Sequence, residues 1–306
     1  MSFLIHLWNG TDTDAKMQNE TRKRQSNGVI LQVVSDIHAE WFDQASFVKS
    51  DDFETATDLV LIAGDTAHYR HAIDTVSTLF PHAGQVCMIS GNHEHYDNAS
   101  DYRLVDGIDF MRQRAREATG SGKALHFLEN DAVVLRSGDI PIRVIGATLW
   151  TDFMIGGNRE RRASPAIKHL VADYGISALS ESGTAAAHAL SREFIRDTLA
   201  TPFDGPSVVM THHLPSARSI SPAFAGQASN ASFASELDDL IAMGATMWVH
   251  GHTHTSMRYR DAGGTLIVCN PMGRPHQHVA GVFKNKEFNP RLTVAIRHES
   301  GRWIAE

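Results

Sequence analysis

Short apolar runs recur along the chain, and five of them end directly in polar residues. These five runs are Val29–Val34, Asp58–Asp65, Gln85–Ser90, Ser207–Met210 and Met247–His250. Nearly continuous apolar stretches of this length are typical of strands buried on both faces of a sheet. Segments with apolar residues at helical spacing lie between them and are predicted as helices: Arg70–Phe80, Asp101–Ala118, Ser182–Leu199 with Ser182 as its cap, and Ser232–Met243. This alternation predicts an α/β protein.

Shorter β-like runs fill the middle and the end of the chain. Three of them, separated by Gly and Asp, are expected to be antiparallel strands of a second sheet: Leu125–Leu128, Ala132–Leu135 and Ile142–Trp150. Three more are expected near the end, a hairpin of Arg258–Arg260 with Leu266–Cys269 and a last strand at Arg291–Ile296. The segment 151–175 has no periodicity but contains three arginines, so it is either a solvated loop or a loop that covers a binding site.

The composition is that of a soluble globular protein, with 42% apolar and 21% charged residues in 306. Residues 1–28 begin apolar and then turn polar and charged, the reverse order of a signal peptide. We predict a poorly structured N-terminal extension at 1–28 and one domain at 29–306. No apolar run approaches the roughly 20 residues of a membrane helix. Cys87 and Cys269 lie in strand-like runs, so buried free thiols and a cytoplasmic location are expected.

The polar residues that close the five apolar runs are the candidate chemistry. The motifs are Ser35-Asp-Ile-His38, Gly64-Asp65, Gly91-Asn-His-Glu94, Thr211-His-His213 and Gly251-His-Thr-His254. In extended backbone, residues two apart share a face, which would pair Asp36 with His38 and His252 with His254. Each motif alone also fits an ordinary polar turn.

Together the five motifs predict a metal centre. The carboxyl ends of strands in an open α/β sheet converge on one crevice. Seven or eight buried metal-binding side chains gathered there would be unsatisfied without a cation. Two divalent ions about 3.5–4 Å apart, sharing one carboxylate, would satisfy them.

The motifs, in this order, resemble those of the calcineurin-like metallophosphoesterase superfamily: D-x-H, G-D, G-N-H-[DE], a strand-end H and G-H-x-H. The resemblance extends from Val29 to Pro271. It implies an α/β fold in which two mixed β-sheets pack as a sandwich flanked by helices. It also implies a ligand set in which Asp36, His38 and His254 bind a first metal ion, Asn92, His212 and His252 bind a second, and Asp65 bridges both. In the same comparison His93 is the catalytic histidine outside the ligand set, and Glu94 orients it.

The fourth motif departs from the superfamily pattern. Relatives often have His-x-Pro with the ligand two residues before the proline, which would select His213. The Thr-His step at the strand end instead favours His212, with His213 facing phosphate or lying behind the ligands. Of the other nearby histidines, His250 is expected to be structural, and His68 and His95 are expected to line the crevice.

The resemblance implies a dinuclear metal-dependent phosphoric ester hydrolase, in which a metal-bridging hydroxide attacks phosphorus and His93 protonates the leaving alkoxide. Mn²⁺, Fe, Zn²⁺, Co²⁺ and Ni²⁺ all suit such a site, with Mn²⁺ favoured. The net charge of −7 argues against nucleic acid, so the expected substrate is a small phosphodiester or phosphomonoester. Arg274 is a candidate phosphate ligand. The alternative is an inactive protein of this fold that serves as a scaffold for protein binding.

Overall fold

The computed structural model describes residues 28–41, 49–97, 102–119, 124–155, 179–274 and 285–306. The predicted extension therefore lies outside the described residues except for Gly28, which belongs to the first strand. The 151–175 loop, with its arginines, also lies outside them beyond residue 155. Among the described residues, no helix combines the length and the apolar character needed to cross a bilayer.

The described residues form twelve strands and five α-helices. The strands are β1 Gly28–Val34, β2 Leu59–Ala63, β3 Gln85–Ile89, β4 Ala124–Phe127, β5 Asp131–Ser137, β6 Ile140–Ala147, β7 Ser207–Thr211, β8 Met247–His250, β9 Met257–Arg260, β10 Leu266–Cys269, β11 Thr293–Glu299 and β12 Arg302–Ala305. The helices are α1 Ser50–Phe53, α2 Tyr69–Leu79, α3 Leu104–Thr119, α4 Glu181–Ala200 and α5 Asp238–Ile241.

The strands build two mixed sheets of six strands each, which confirms the predicted fold class. The first sheet has the order β12-β11-β1-β2-β3-β4, with β1 to β4 parallel and β11 and β12 antiparallel at one edge. The second has the order β5-β6-β7-β8-β10-β9, with four central parallel strands and an antiparallel strand at each edge.

Three buried apolar clusters hold the layers together. The largest lies between the sheets and joins β1, β2 and β3 to β6, β7, β8 and β10. A second covers the outer face of the first sheet with α2 and α3, and a third covers the outer face of the second sheet with α4 and α5. Cys87 and Cys269 are buried free thiols within these strands, as expected. Because both faces of the central strands are buried, their near-continuous apolar sequence is explained.

The prediction that the strand at Leu125–Leu128 belongs to the second sheet is wrong. The structure places it, as β4, beside β3 in the first sheet, in parallel rather than antiparallel register. The physical reason is that α3 lies between β3 and β4, and a helical crossover returns the chain in the parallel direction. The other two runs, now β5 and β6, form the expected antiparallel pair.

Three further details of the secondary structure differ from the sequence prediction. The predicted helix Ser232–Met243 reduces to the four residues of α5, because Leu214 pairs with Phe233 and Ser235 through backbone hydrogen bonds and holds that stretch extended. The cap of α4 is Ser180, whose hydroxyl accepts the amide of Gly183, and not Ser182. The predicted last strand, β11, is followed by β12.

Candidate metal centre

The predicted motifs meet at one end of the sandwich, but their backbone is not extended. Five of the candidate ligands have left-handed backbone: Asp36 (φ 53°), His38 (φ 51°), Asp65 (φ 54°), His252 (φ 68°) and His254 (φ 50°). The strand β8 ends at His250, so the expected placement of His252 and His254 on one strand face is wrong. The side chains converge because the chain turns tightly after each strand, at a cost of about 1–2 kcal/mol per left-handed residue.

One group of donor atoms contains Asp36, His38, Asp65 and His254. The Nε2 atoms of His38 and His254 are 2.9 Å apart. Nε2 of His254 lies 3.3 Å from Oδ1 of Asp36, and Nε2 of His38 lies 3.6 Å from Oδ2 of Asp65. Donor atoms about 2.1 Å from one ion are about 3.0–3.4 Å from each other, and the spacings of 2.9–3.6 Å lie close enough to this range to suit a shared divalent cation.

A second group contains Asn92, His212 and His252 and again Asp65. Nε2 of His212 lies 3.0 Å from Oδ1 of Asn92, 3.2 Å from Nδ1 of His252 and 3.3 Å from Oδ2 of Asp65. The two groups therefore share the same carboxylate oxygen of Asp65. All seven predicted ligands are brought together, in the two sets that the resemblance implied, and two ions bridged by Asp65 fit this donor set.

Two glycines allow the strand ends to approach this closely. A Cβ on Gly64, whose φ is +83°, would lie 2.7 Å from Nδ1 of His212. A Cβ on Gly91 would overlap Oδ1 of Asp65. Both glycines precede a candidate ligand, so the space that they leave free is occupied by the site itself.

The carboxylates of this site are buried, so their negative charge must be compensated within the protein. Asp36 and Asp65 are no more than 1% exposed. Burial would raise the pKa of Asp65, but the imidazoles of His212, His93 and His38 beside it lower that pKa well below its ordinary value. Burial in turn opposes charge on His212, yet the carboxylates of Asp65 and Asp36 raise its pKa to about 10. A bound cation would replace the proton on His212 as the compensating charge.

Hydrogen bonds behind the candidate ligands point their donor atoms inward. Nδ1 of His212 donates to the carbonyl of Ala63 at 2.8 Å, which leaves Nε2 facing the site. The amide nitrogen of Asn92 donates to the hydroxyl of Tyr96 at 2.8 Å, so its oxygen faces His212. Such partners fix the tautomer and orientation of metal-binding side chains. The role of Tyr96 was not predicted from the sequence.

Glu40, which the sequence analysis missed, contacts His93 where Glu94 was expected. Oε1 of Glu40 accepts from Nδ1 of His93 at 2.9 Å and from Nδ1 of His38 at 3.0 Å. Burial would raise the pKa of Glu40, but these two hydrogen bonds lower it to about 2. The available signal in the sequence is an acidic side chain two residues after His38, which the structure places in the short 3₁₀ helix Ala39–Trp41.

Glu94 orients the backbone of the site instead of His93. Its carboxylate accepts the amides of Asp65, Thr66 and Gly91 at 2.7–2.9 Å. Burial and the nearby charge of Asp65 raise its pKa to about 7. The carboxyl therefore fastens the end of β2 to the end of β3.

His93 lies at the edge of the metal site with its second nitrogen facing Arg274. Nε2 of His93 is 3.2 Å from Nη2 of Arg274, whose guanidinium lies 5.2 Å from the ring centre of Trp41. Burial opposes charge on His93, but the carboxylates of Asp65 and Glu40 outweigh it and raise its pKa above the ordinary value. In this contact the guanidinium donates and Nε2 of His93 accepts, so the edge of the proposed metal site carries a histidine next to a cation suited to phosphate.

Four other histidines close to the motifs belong to neither donor group. His213 is buried, with Nδ1 3.3 Å from the carbonyl of Thr148 and its ring 4.4 Å from that of His252. His250 is fully buried, in agreement with a structural role. His95 does not line the crevice, because it is buried between Ser90 and the hydroxyl of Tyr102. His68 is half-buried, 3.8 Å from Asp97.

Comparison with known proteins identifies the family. A calcineurin-like phosphoesterase family matches residues 31–256, about three quarters of the chain, and the chain belongs to this family. An uncharacterized protein of Acanthamoeba polyphaga mimivirus is 24% identical over 295 residues, which cover 87% of this chain and 96% of that protein.

Among solved structures, the fold is similar to that of the phosphopantetheinyl hydrolase from Mycobacterium tuberculosis. The TM-score is 0.62 at 17% identity, covering 84% of this chain and 97% of that one. A putative 5′-nucleotidase from Staphylococcus aureus gives a TM-score of 0.50 at 13% identity, covering 91% of this chain and 53% of that one. At these identities the likeness concerns the fold alone.

Proposed function

We propose that this protein is a metal-dependent phosphoesterase that hydrolyses a small-molecule phosphodiester or phosphomonoester. The observation that carries the proposal is the sharing of Oδ2 of Asp65 by two groups of buried donor atoms. In one group Asp36, His38 and His254 would hold a divalent ion with Asp65. In the other, Asn92, His212 and His252 would hold the second.

When bound, two divalent ions activate water as a nucleophile and neutralise the phosphoryl oxygens. The donor set is mixed nitrogen and oxygen, which suits Mn²⁺ as well as Fe, Zn²⁺, Co²⁺ and Ni²⁺. We favour Mn²⁺. The side chains that do not contact the ions must then orient the ester and supply a proton to the leaving oxygen.

His93 is the proposed proton donor. Its Nδ1–H is held by Glu40, which directs Nε2 towards the pocket next to Arg274. In its protonated form His93 transfers the proton on Nε2 to the leaving alkoxide, and Glu40 stabilises the charge on the ring until then. Arg274 binds a non-bridging phosphoryl oxygen, because a guanidinium donates several hydrogen bonds in a fixed geometry.

The test is hydrolysis of bis-p-nitrophenyl phosphate and p-nitrophenyl phosphate by protein stripped with EDTA and reloaded with Mn²⁺. We expect turnover of at least one ester that depends on the metal and is lost in Asp65→Asn. If the reloaded protein cleaves neither ester, nor any member of a panel of natural phosphoesters, the proposal fails. An inactive scaffold that binds proteins through this fold is then the better interpretation.

A further inference from the structure

A pocket of about 540 Å³ opens next to the proposed metal centre, and part of its lining is apolar. Asp65, Asn92 and His93 lie on one side of it. The segment that follows β7 contributes four apolar side chains to the lining, which form the apolar wall: Leu214, Ile220, Phe224 and Phe233. The same segment also contributes four uncharged polar residues, Ser221, Gln227, Ser229 and Asn230. A volume in this range accommodates a small organic ligand rather than a phosphate alone.

The apolar wall is held in place by contacts with neighbouring residues. The ring of Phe233 lies 4.4 Å from the ring of His252, so Phe233 packs directly against a proposed metal ligand. The amide nitrogen of Asn230 donates to the carbonyl of Phe224 at 2.8 Å, which fixes the turn that carries this side chain. Phe224 is nevertheless 46% exposed. A large apolar side chain that is fixed and exposed beside a polar site is available to contact a ligand.

The charges on the pocket restrict what it can hold. Of the described residues that line it, Arg274 is the only lysine or arginine, and it lies at the metal end beside His93. A second phosphoryl group beside the apolar wall would face apolar and uncharged polar side chains of the described residues without a counter-charge, which is unfavourable. Among the described residues, the lining therefore suits a substrate with one phosphoryl group better than one with several.

We propose that this wall binds the alcohol portion of the substrate, and that the substrate is a single phosphoryl group esterified to an uncharged, aromatic or bulky apolar alcohol. The proposal rests on the proposed phosphoesterase function and adds the substrate class. In the reaction the oxygen of water bonds to phosphorus and the ester P–O bond breaks. The alcohol leaves along the apolar wall with a proton from Nε2 of His93.

The experiment measures affinity and turnover separately on full-length protein loaded with Mn²⁺. Binding of 3-phenylpropylphosphonate is compared with that of propylphosphonate by calorimetry, since neither has an ester bond to hydrolyse. Hydrolysis of 2-phenylethyl phosphate is compared with that of ethyl phosphate by phosphate release, because their leaving alcohols differ little in acidity. We expect the phenyl compounds to bind about 10- to 100-fold more tightly and to have the lower KM.

Three variants sharpen the result. Phe224→Ala should raise KM for 2-phenylethyl phosphate about tenfold or more with little change in kcat, and should leave ethyl phosphate nearly unaffected. Phe224→Leu, which keeps an apolar side chain, should restore much of the preference. Leu190→Ala changes a side chain that is 64% exposed on α4 and is the matched control with no effect.

Equal affinity for the two phosphonates, or an equal loss on both esters in Phe224→Ala, would overturn the substrate class. Metal-dependent hydrolysis with no preference for the phenyl compounds would support the proposed phosphoesterase function and overturn only the substrate class. Discrimination between the phosphonates by a protein that hydrolyses no ester would instead overturn the proposed function.

Discussion

The two sheets contribute different chemistry to the same site. The first sheet supplies both carboxylates, the amide and one imidazole, whereas the second supplies imidazoles alone. The residues are Asp36, Asp65, Asn92 and His38 from the first sheet and His212, His252 and His254 from the second. The negative charge therefore comes from one sheet and the groups able to balance it with protons come largely from the other. Neither half holds a complete set of donors for either proposed ion, so the site depends on the packing of the sandwich.

The largest expected effect follows from removing the shared carboxylate. Asp65→Asn should lose both ions and lower kcat/KM by more than about 100-fold. Residues that only hydrogen-bond to a metal ligand typically contribute about 10- to 100-fold, and a ligand shared by both ions should contribute more. His254→Ala, from the second sheet, should leave about one ion per chain. Elemental analysis by mass spectrometry and hydrolysis of bis-p-nitrophenyl phosphate measure both outcomes. Two retained ions in Asp65→Asn would contradict the bridging role.

His93 also comes from the first sheet but belongs to neither donor group. His93→Ala should keep both ions and lower kcat by about 10²- to 10⁴-fold on esters with poor leaving groups. The loss should be smaller for p-nitrophenyl esters, because their leaving group needs little protonation. Steady-state kinetics over a series of leaving groups, with metal content measured in parallel, tests this. Loss of metal would assign His93 to the ligand set instead.

Glu40 links the two roles within the first sheet, since one oxygen serves both His38 and His93. Glu40→Gln should lower kcat/KM by about 10- to 100-fold while the metal content falls little. Glu40→Asp should recover part of the activity if the negative charge matters. Glu117→Gln, on the exposed face of α3, is the matched control. Activity unchanged in Glu40→Gln would remove the residue from the proposed mechanism.

The smallest expected effect concerns a histidine packed against the second sheet. Burial lowers the pKa of His188, and its Nδ1 donates to the carbonyl of Leu149 at 3.0 Å. The folded state therefore resists protonation of this ring, whereas the unfolded state accepts a proton below its ordinary pKa of 6.5. The stabilising effect of the neutral ring is complete above that pH and is lost as the pH falls towards the folded-state pKa.

Denaturant unfolding of EDTA-treated protein at pH 8 and pH 5.5 measures this contribution. The free energy of unfolding should fall between the two values by up to about 1.4 kcal/mol per pH unit from this ring. In His188→Gln the free energy of unfolding should fall less between pH 8 and pH 5.5 than in the wild type. The difference between the two proteins at pH 8, where the ring is neutral in both states, is the reference for this comparison. Identical slopes for the two proteins would contradict the assignment.

The strands and the proposed ligands were predictable because each strand is an apolar run that stops at a metal-binding side chain. The local backbone was not, since nothing in a D-x-H or H-x-H pattern distinguishes an extended pair from two left-handed residues. Asp36 and His38 meet the other donors through tight turns, which depend on tertiary packing. The helical period of about 3.6 residues and the strand period of about 2 place side chains along an element, but they do not predict the turn that follows it.

The errors have a common origin in contacts between distant segments. Glu40 faces His93 because β1 and β3 end at the same edge of the first sheet, which local sequence does not reveal. The predicted helix at Ser232–Met243 yields to backbone pairing with Leu214, and tertiary context overrides helical spacing there. Nothing local distinguishes β4 from β5, because both are short and apolar. The intervening helix α3 was the usable signal.

The left-handed backbone at the candidate ligands has a consequence for how such a protein would decay over evolution. His254 is a side chain 26% exposed in a conformation that glycine adopts without penalty. In a lineage released from selection for catalysis, glycine at this position would relieve local strain while removing an ion ligand. A single substitution therefore removes an ion ligand and relieves backbone strain at once.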